Sequence, residues 1–138
     1  MKVTRVSFVG TRTTQFDSTV SLFRDVLGLQ PAFANQGWAG FHLPSGPRDL
    51  LEVFGPGMTD ERVAPASFDS GVLIAFAVED VASAREELAA AGVEILGDIV
   101  WGTELTGDPA DADWGWFFFR APDGTVFVIQ QQGSADVV

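Results

Sequence analysis

Cysteine is absent, which removes disulfides and thiolate chemistry. Histidine is nearly absent: His42 is the only one in 138 residues. Imidazole, the usual anchor for transition metals, is therefore scarce. Basic side chains are also few, with eight Lys and Arg against nineteen Asp and Glu and a net charge of −11. That balance argues against a nucleic-acid partner, whose phosphates need Lys and Arg. It confers solubility and would favour cationic ligands. No apolar run approaches the length of a membrane span, and Met1-Lys2-Val3-Thr4-Arg5 lacks the core of a signal peptide. The expectation is a cytoplasmic protein with no membrane partner.

What is present is a repeated hairpin. Pro122-Asp123-Gly124 joins Phe117–Phe119 to Val126–Ile129. Proline presets φ, aspartate bonds its neighbouring backbone and glycine accepts a positive φ. An earlier copy reads Pro44-Ser45-Gly46, followed by Leu50–Phe54. At a constant spacing of 78 residues, Pro44 lies over Pro122, Gly46 over Gly124, His42 over Arg120 and Trp38 over Trp116.

The chain in order supports a duplicated unit. Arg5–Thr11 reads as a strand. Thr13 or Thr14 can cap a helix from about Phe16 to Leu27, with Val20, Phe23 and Leu27 on its apolar face and Gly28 as its stop. Strands follow near Gln30–Ala34, Trp38–Leu43 and Leu50–Phe54. The segment 58–70 has no periodicity and reads as a linker. Gly71–Val78 is a strand, and Asp80 caps a helix whose stripe is Val81, Ala84, Leu88 and Ala91. Strands near Val93–Val100, Trp114–Arg120 and Val126–Gln130 complete the second copy. An acidic insertion, 102–113, carries Glu104, Asp108, Asp111 and Asp113. The predicted class is α+β: βαβββ modules at 1–57 and 71–132, a linker at 58–70 and a tail at 133–138. An apolar concave sheet face needs cover, so the modules should pair into an eight-stranded cup around a ligand site. A fully packed domain with no such site is the alternative.

The chain resembles the vicinal oxygen chelate superfamily, which holds glyoxalase I, the fosfomycin-resistance enzymes, extradiol dioxygenases and the bleomycin-resistance proteins. The resemblance is carried by Val6–Gly10, Leu22–Leu29, Leu50–Phe54, Ala75–Asp80 and Phe119–Gly124. It implies the fold and leaves the reaction open. Metal-dependent members carry His, Glu or Gln at four positions that align here with Phe8, Glu52, Leu73 and Val128. Only Glu52 can coordinate, whereas such catalytic sites use about three protein ligands. No metal and no cofactor are therefore expected. A relocated site would have to use His42 with carboxylates.

The expected ligand-binding residues are Phe8, Trp38, His42, Glu52, Leu73, Trp101, Trp116, Phe118, Arg120, Val128 and Gln130. Strand alternation puts Leu50 and Phe54 on the side of Glu52. The resemblance directs Phe118 inward. Parity then adds Trp116 and Arg120, and the repeat adds Trp38 and His42. Glu52 reads either as a partner for a cationic ligand or as a carboxylate satisfied within the protein. His42 reads as a structural hydrogen-bonding residue or a ligand contact. Indole faces suit flat rings and cations, or they simply pack.

The leading expectation is a metal-independent binding protein of the bleomycin-resistance type, sequestering an aromatic or cationic drug-like compound, as in antibiotic resistance. Its partners would be that small molecule and a second copy of itself in a homodimer. The alternative is a lyase, isomerase or oxygenase that uses His42, Glu52 or a relocated metal. A third is a dimer whose site is vestigial.

Overall fold

A computed structural model describes residues 1–133; the expected tail lies, from residue 134 on, outside the described residues. The strands are β1 (Arg5–Arg12), β2 (Gln30–Asn35), β3 (Trp38–His42), β4 (Leu50–Phe54), β5 (Gly71–Ala77), β6 (Glu94–Trp101), β7 (Gly115–Arg120) and β8 (Val126–Gln131). The helices are α1 (Phe16–Ser21), α2 (Val81–Ala90) and α3 (Gly102–Thr106). This is the expected α+β order, βαβββ twice, with eight strands in all. No helix among the described residues is long and apolar enough to cross a membrane.

The chain divides into a middle unit, Phe8–Leu73, and a flanking unit made of Met1–Ser7 and the chain from Ile74 on. In the middle unit β1 runs parallel to β4, β4 antiparallel to β3, and β3 antiparallel to β2. In the flanking unit β5 runs parallel to β8, β8 antiparallel to β7, and β7 antiparallel to β6. The first residues of β1 belong to the flanking unit: the Thr4 amide donates to the Ala77 carbonyl at 2.9 Å and the Ser7 hydroxyl to that of Ala75 at 3.3 Å.

The second hairpin closes as its sequence dictates. The Gly124 amide donates to the Ala121 carbonyl at 2.8 Å, the Asp123 carboxylate accepts from the Thr125 amide at 3.0 Å, and Gly124 takes φ +93°. That value strains any residue with a Cβ. The Thr125 amide holds the Asp123 carboxyl below its ordinary pKa. The earlier copy is wider, with the Leu43 amide reaching the Asp49 carbonyl at 2.9 Å.

Asp80 caps α2 by accepting from the Ser83 amide at 3.0 Å, a bond that lowers its pKa. Val81 and Ala84 are buried against Val78, Phe117 and Ile129, with Leu88, Ile95 and Phe119 packed beside them. Full burial of a side chain such as Phe117 is worth about 1.5–3 kcal/mol. Ala91, expected in this stripe, is exposed at the helix end.

The first helix departs from expectation. Its N-cap is Gln15, without a side-chain cap, and the Thr13 hydroxyl accepts from the Gln15 amide at 3.0 Å. After Ser21 the coil widens into a π turn, Leu22–Val26, with the Leu27 amide bonded to the Leu22 carbonyl at 3.0 Å. The wider turn rotates Leu27 off the inward stripe, so it is 58% exposed. Phe23 stays inward, edge-on to Phe41 at 5.9 Å.

The segment expected as a linker buries Val63, Ala64 and Phe68. Phe68 meets Phe54 edge-on at 5.9 Å.

Candidate functional site

Strand register decides which side chains share a face. In the middle unit Phe8 pairs with Leu50, Glu52 with Gly40, Phe54 with Trp38, and His42 with Leu50 and Gln30. Phe8, Trp38, His42 and Glu52 therefore lie on one face, with Leu50 and Phe54 as alternation required. Leu51 and Val53 turn to the opposite side with their ladder partners Phe41 and Ala39, and Phe41 meets Phe23 of the first helix.

Glu52 is only 6% exposed, and its Oε1 accepts from the Trp38 indole Nε1–H at 2.7 Å. The two are diagonal neighbours across β3 and β4, because Trp38 sits opposite Phe54 and Gly40 opposite Glu52. Gly40 leaves room for the Phe33 ring, which a Cβ at that position would strike. Phe33, Trp38, Phe54 and Phe68 form a continuous row of rings, with centroids 4.8, 6.4 and 5.9 Å apart. No hydrogen bond of the His42 imidazole occurs among the described residues, so no group there orients it as a base. Leu73 is fully buried.

In the flanking unit Trp116 pairs with Gln130 and Phe118 with Val128, and all four are buried on one face. Ala75 and Ala77 join them through their pairing with Val128 and Gln130. Phe117 and Ile129 point the other way, into the core under α2. Trp114, one parity step before Trp116, has its ring centroid 4.8 Å from that of Trp116.

Trp101 falls on another face, and Arg120 is engaged at the hairpin end. Trp101 pairs with Gly115, so it shares the face of Phe117 and packs against the α2 core. Arg120 donates from Nε to Glu94 Oε2 at 2.6 Å and from a terminal nitrogen to the Gly124 carbonyl at 3.3 Å, which ties it to the hairpin end. The acidic insertion also engages its carboxylates locally. Glu104 accepts from the Trp101 amide at 2.6 Å, Asp108 from the Ala110 amide at 3.0 Å, and Asp111 from the Thr106 hydroxyl at 2.7 Å. The insertion is α3 followed by a 3₁₀ turn, Pro109–Asp111.

The donor set does not fit the metal centre that the family resemblance implies. Phe8, Leu73 and Val128 offer no lone pair, and Glu52 Oε1 is engaged by Trp38. Among the described residues no group of three or more His, Cys, Asp and Glu side chains could hold a metal ion.

Two βαβββ modules in one chain define the class of fold. The chain belongs to the Glyoxalase/Bleomycin resistance protein/Dioxygenase superfamily, whose model matches residues 5–129. Its fold is similar to methylmalonyl-CoA epimerase from Mycobacterium tuberculosis, at TM-score 0.71 and 20% identity over 96% of this chain and 91% of that one. It is similar to the Mn(II)-bound glyoxalase from Novosphingobium aromaticivorans, at TM-score 0.69 and 22% identity over 99% of this chain and 40% of that one. It also resembles a Streptomyces coelicolor methylmalonyl-CoA epimerase variant in complex with 2-nitronate-propionyl-CoA, at TM-score 0.68 and 22% identity over 96% of this chain and 97% of that one. No curated protein matches the chain by sequence.

Proposed function

We propose that this chain is a metal-independent binding protein that sequesters a planar aromatic or cationic small molecule. The observation that carries the reading is the face of Trp114, Trp116, Phe118 and Val128 in the flanking unit. Indole and phenyl faces supply burial for a flat ring and attraction for a cation. The loss of donors at Phe8, Leu73 and Val128 supports a role without a metal. Titration of intrinsic tryptophan fluorescence with planar cationic and neutral compounds tests it, beside elemental analysis of the purified protein. Saturable quenching is expected, with no stoichiometric Zn, Ni, Mn or Fe. One equivalent of metal that is lost on Glu52→Ala overturns the metal-independent part.

An enzyme of the same superfamily is the second reading. It is favoured by Glu52, a buried carboxylate oriented by the Trp38 indole as a general base would be. Turnover of a carbon acid in metal-free buffer, abolished by Glu52→Gln, would select it over simple binding.

A further inference from the structure

On the reading of this chain as a small-molecule binder, we propose that the aromatic face of the flanking unit takes a planar ligand carrying a hydrogen-bond acceptor and a hydrogen-bond donor together, as a ring lactam or aryl carboxamide does. Two buried polar atoms carry this inference. The Trp114 Nε1–H and the Gln130 Oε1 have no hydrogen-bond partner among the described residues. Buried polar groups in folded proteins are overwhelmingly bonded, and an orphan is costly. Gln130 itself is only 7% exposed.

Both residues neighbour Trp116. Gln130 is its partner in the β7–β8 ladder, and the Trp114 ring touches its ring. Indole N–H only donates, so it asks for an acceptor on the ligand; the Gln130 carbonyl asks for a donor. A flat ring on Trp116 that bears C=O and N–H answers both. A plain hydrocarbon would leave both orphans buried, and a simple cation would answer only Gln130. Rotating the Gln130 amide would present a second donor in place of the acceptor, and the probes distinguish the two orientations.

The test is calorimetric titration with three bicyclic probes of similar shape: 2-quinolone, 1-methyl-2-quinolone and naphthalene. The first has C=O and N–H, the second C=O alone, the third neither. Affinity should fall about tenfold at each step, the scale of one buried hydrogen bond. Gln130→Leu should abolish the first step and Trp114→Phe the second. Thermal melts of both variants check folding, and Gln130→Leu should melt no lower than wild type, since it removes an orphan amide. The wild-type series decides even if a variant fails to fold. Equal affinities for all three probes overturn the paired donor and acceptor while leaving an aromatic binding face. A loss only at the second step means that Gln130 offers no acceptor, which also overturns the proposal. Binding of none of the three defeats the binding reading itself.

Discussion

Replacing Trp38 by Phe removes one hydrogen bond and keeps most of the ring. The bond spans 2.7 Å between Nε1 and the Oε1 of a glutamate that is 6% exposed. That distance lies at the short end of the N–H···O range. Leaving a buried acceptor without its donor costs about 1–3 kcal/mol, and burial leaves little water to replace the lost donor. Ring packing complicates a single substitution, because Trp38 also contacts Phe33 and Phe54. A double-mutant cycle of Trp38→Phe with Glu52→Leu isolates the pair. Chemical denaturation of the four proteins should give a coupling of about 2 kcal/mol. A coupling below about 0.5 kcal/mol, the scatter of independent sites, would refute the claim that this bond fixes the carboxylate.

Leu73→His should destabilise the protein by about 1–3 kcal/mol in denaturant titration, since the side chain is fully buried; unchanged stability would mean that water reaches it. The Asp80 and Asp123 carboxyls are held below their ordinary pKa by backbone amides of Ser83 and Thr125. Their stabilising contribution is therefore present above about pH 4 and lost as pH falls through the lower folded values. Melting temperature against pH should show that loss, and Asp123→Asn should make it shallower. Leu22, Val26 and Leu27 expose 46, 74 and 58% of their surface on the first helix. Sedimentation at micromolar concentration should give a homodimer, reduced to one chain by Val26→Lys with Leu27→Lys; a wild-type monomer would refute self-association through this patch.

Strand parity was the most legible feature of the sequence. It placed Glu52 with Leu50 and Phe54, and Trp116 with Phe118, because successive side chains on a strand alternate. The same parity carried one step further reaches Trp114, which was not among the expected residues. Proximity to the insertion says nothing of parity, and the pairing of Trp101 with Gly115 turns it toward α2. The Trp38–Glu52 bond depends on hairpin register, which the wide turn after His42 leaves undetermined in sequence. The π turn adds a residue without any residue type that marks it.

The divided first strand has a consequence for the order in which the chain can fold. Phe8–Leu73 is contiguous, so every contact inside the middle unit is available once residue 73 has left the ribosome. Met1–Ser7 emerge before the middle unit but must wait for Ala75 and Ala77 to receive the Ser7 and Thr4 bonds. Closing that span costs loop entropy before any contact offsets it, which places the flanking unit later in folding. Pulse-labelled hydrogen exchange should therefore protect β3 and β4 before β5 and β8, and protection in the reverse order would contradict this sequence of events.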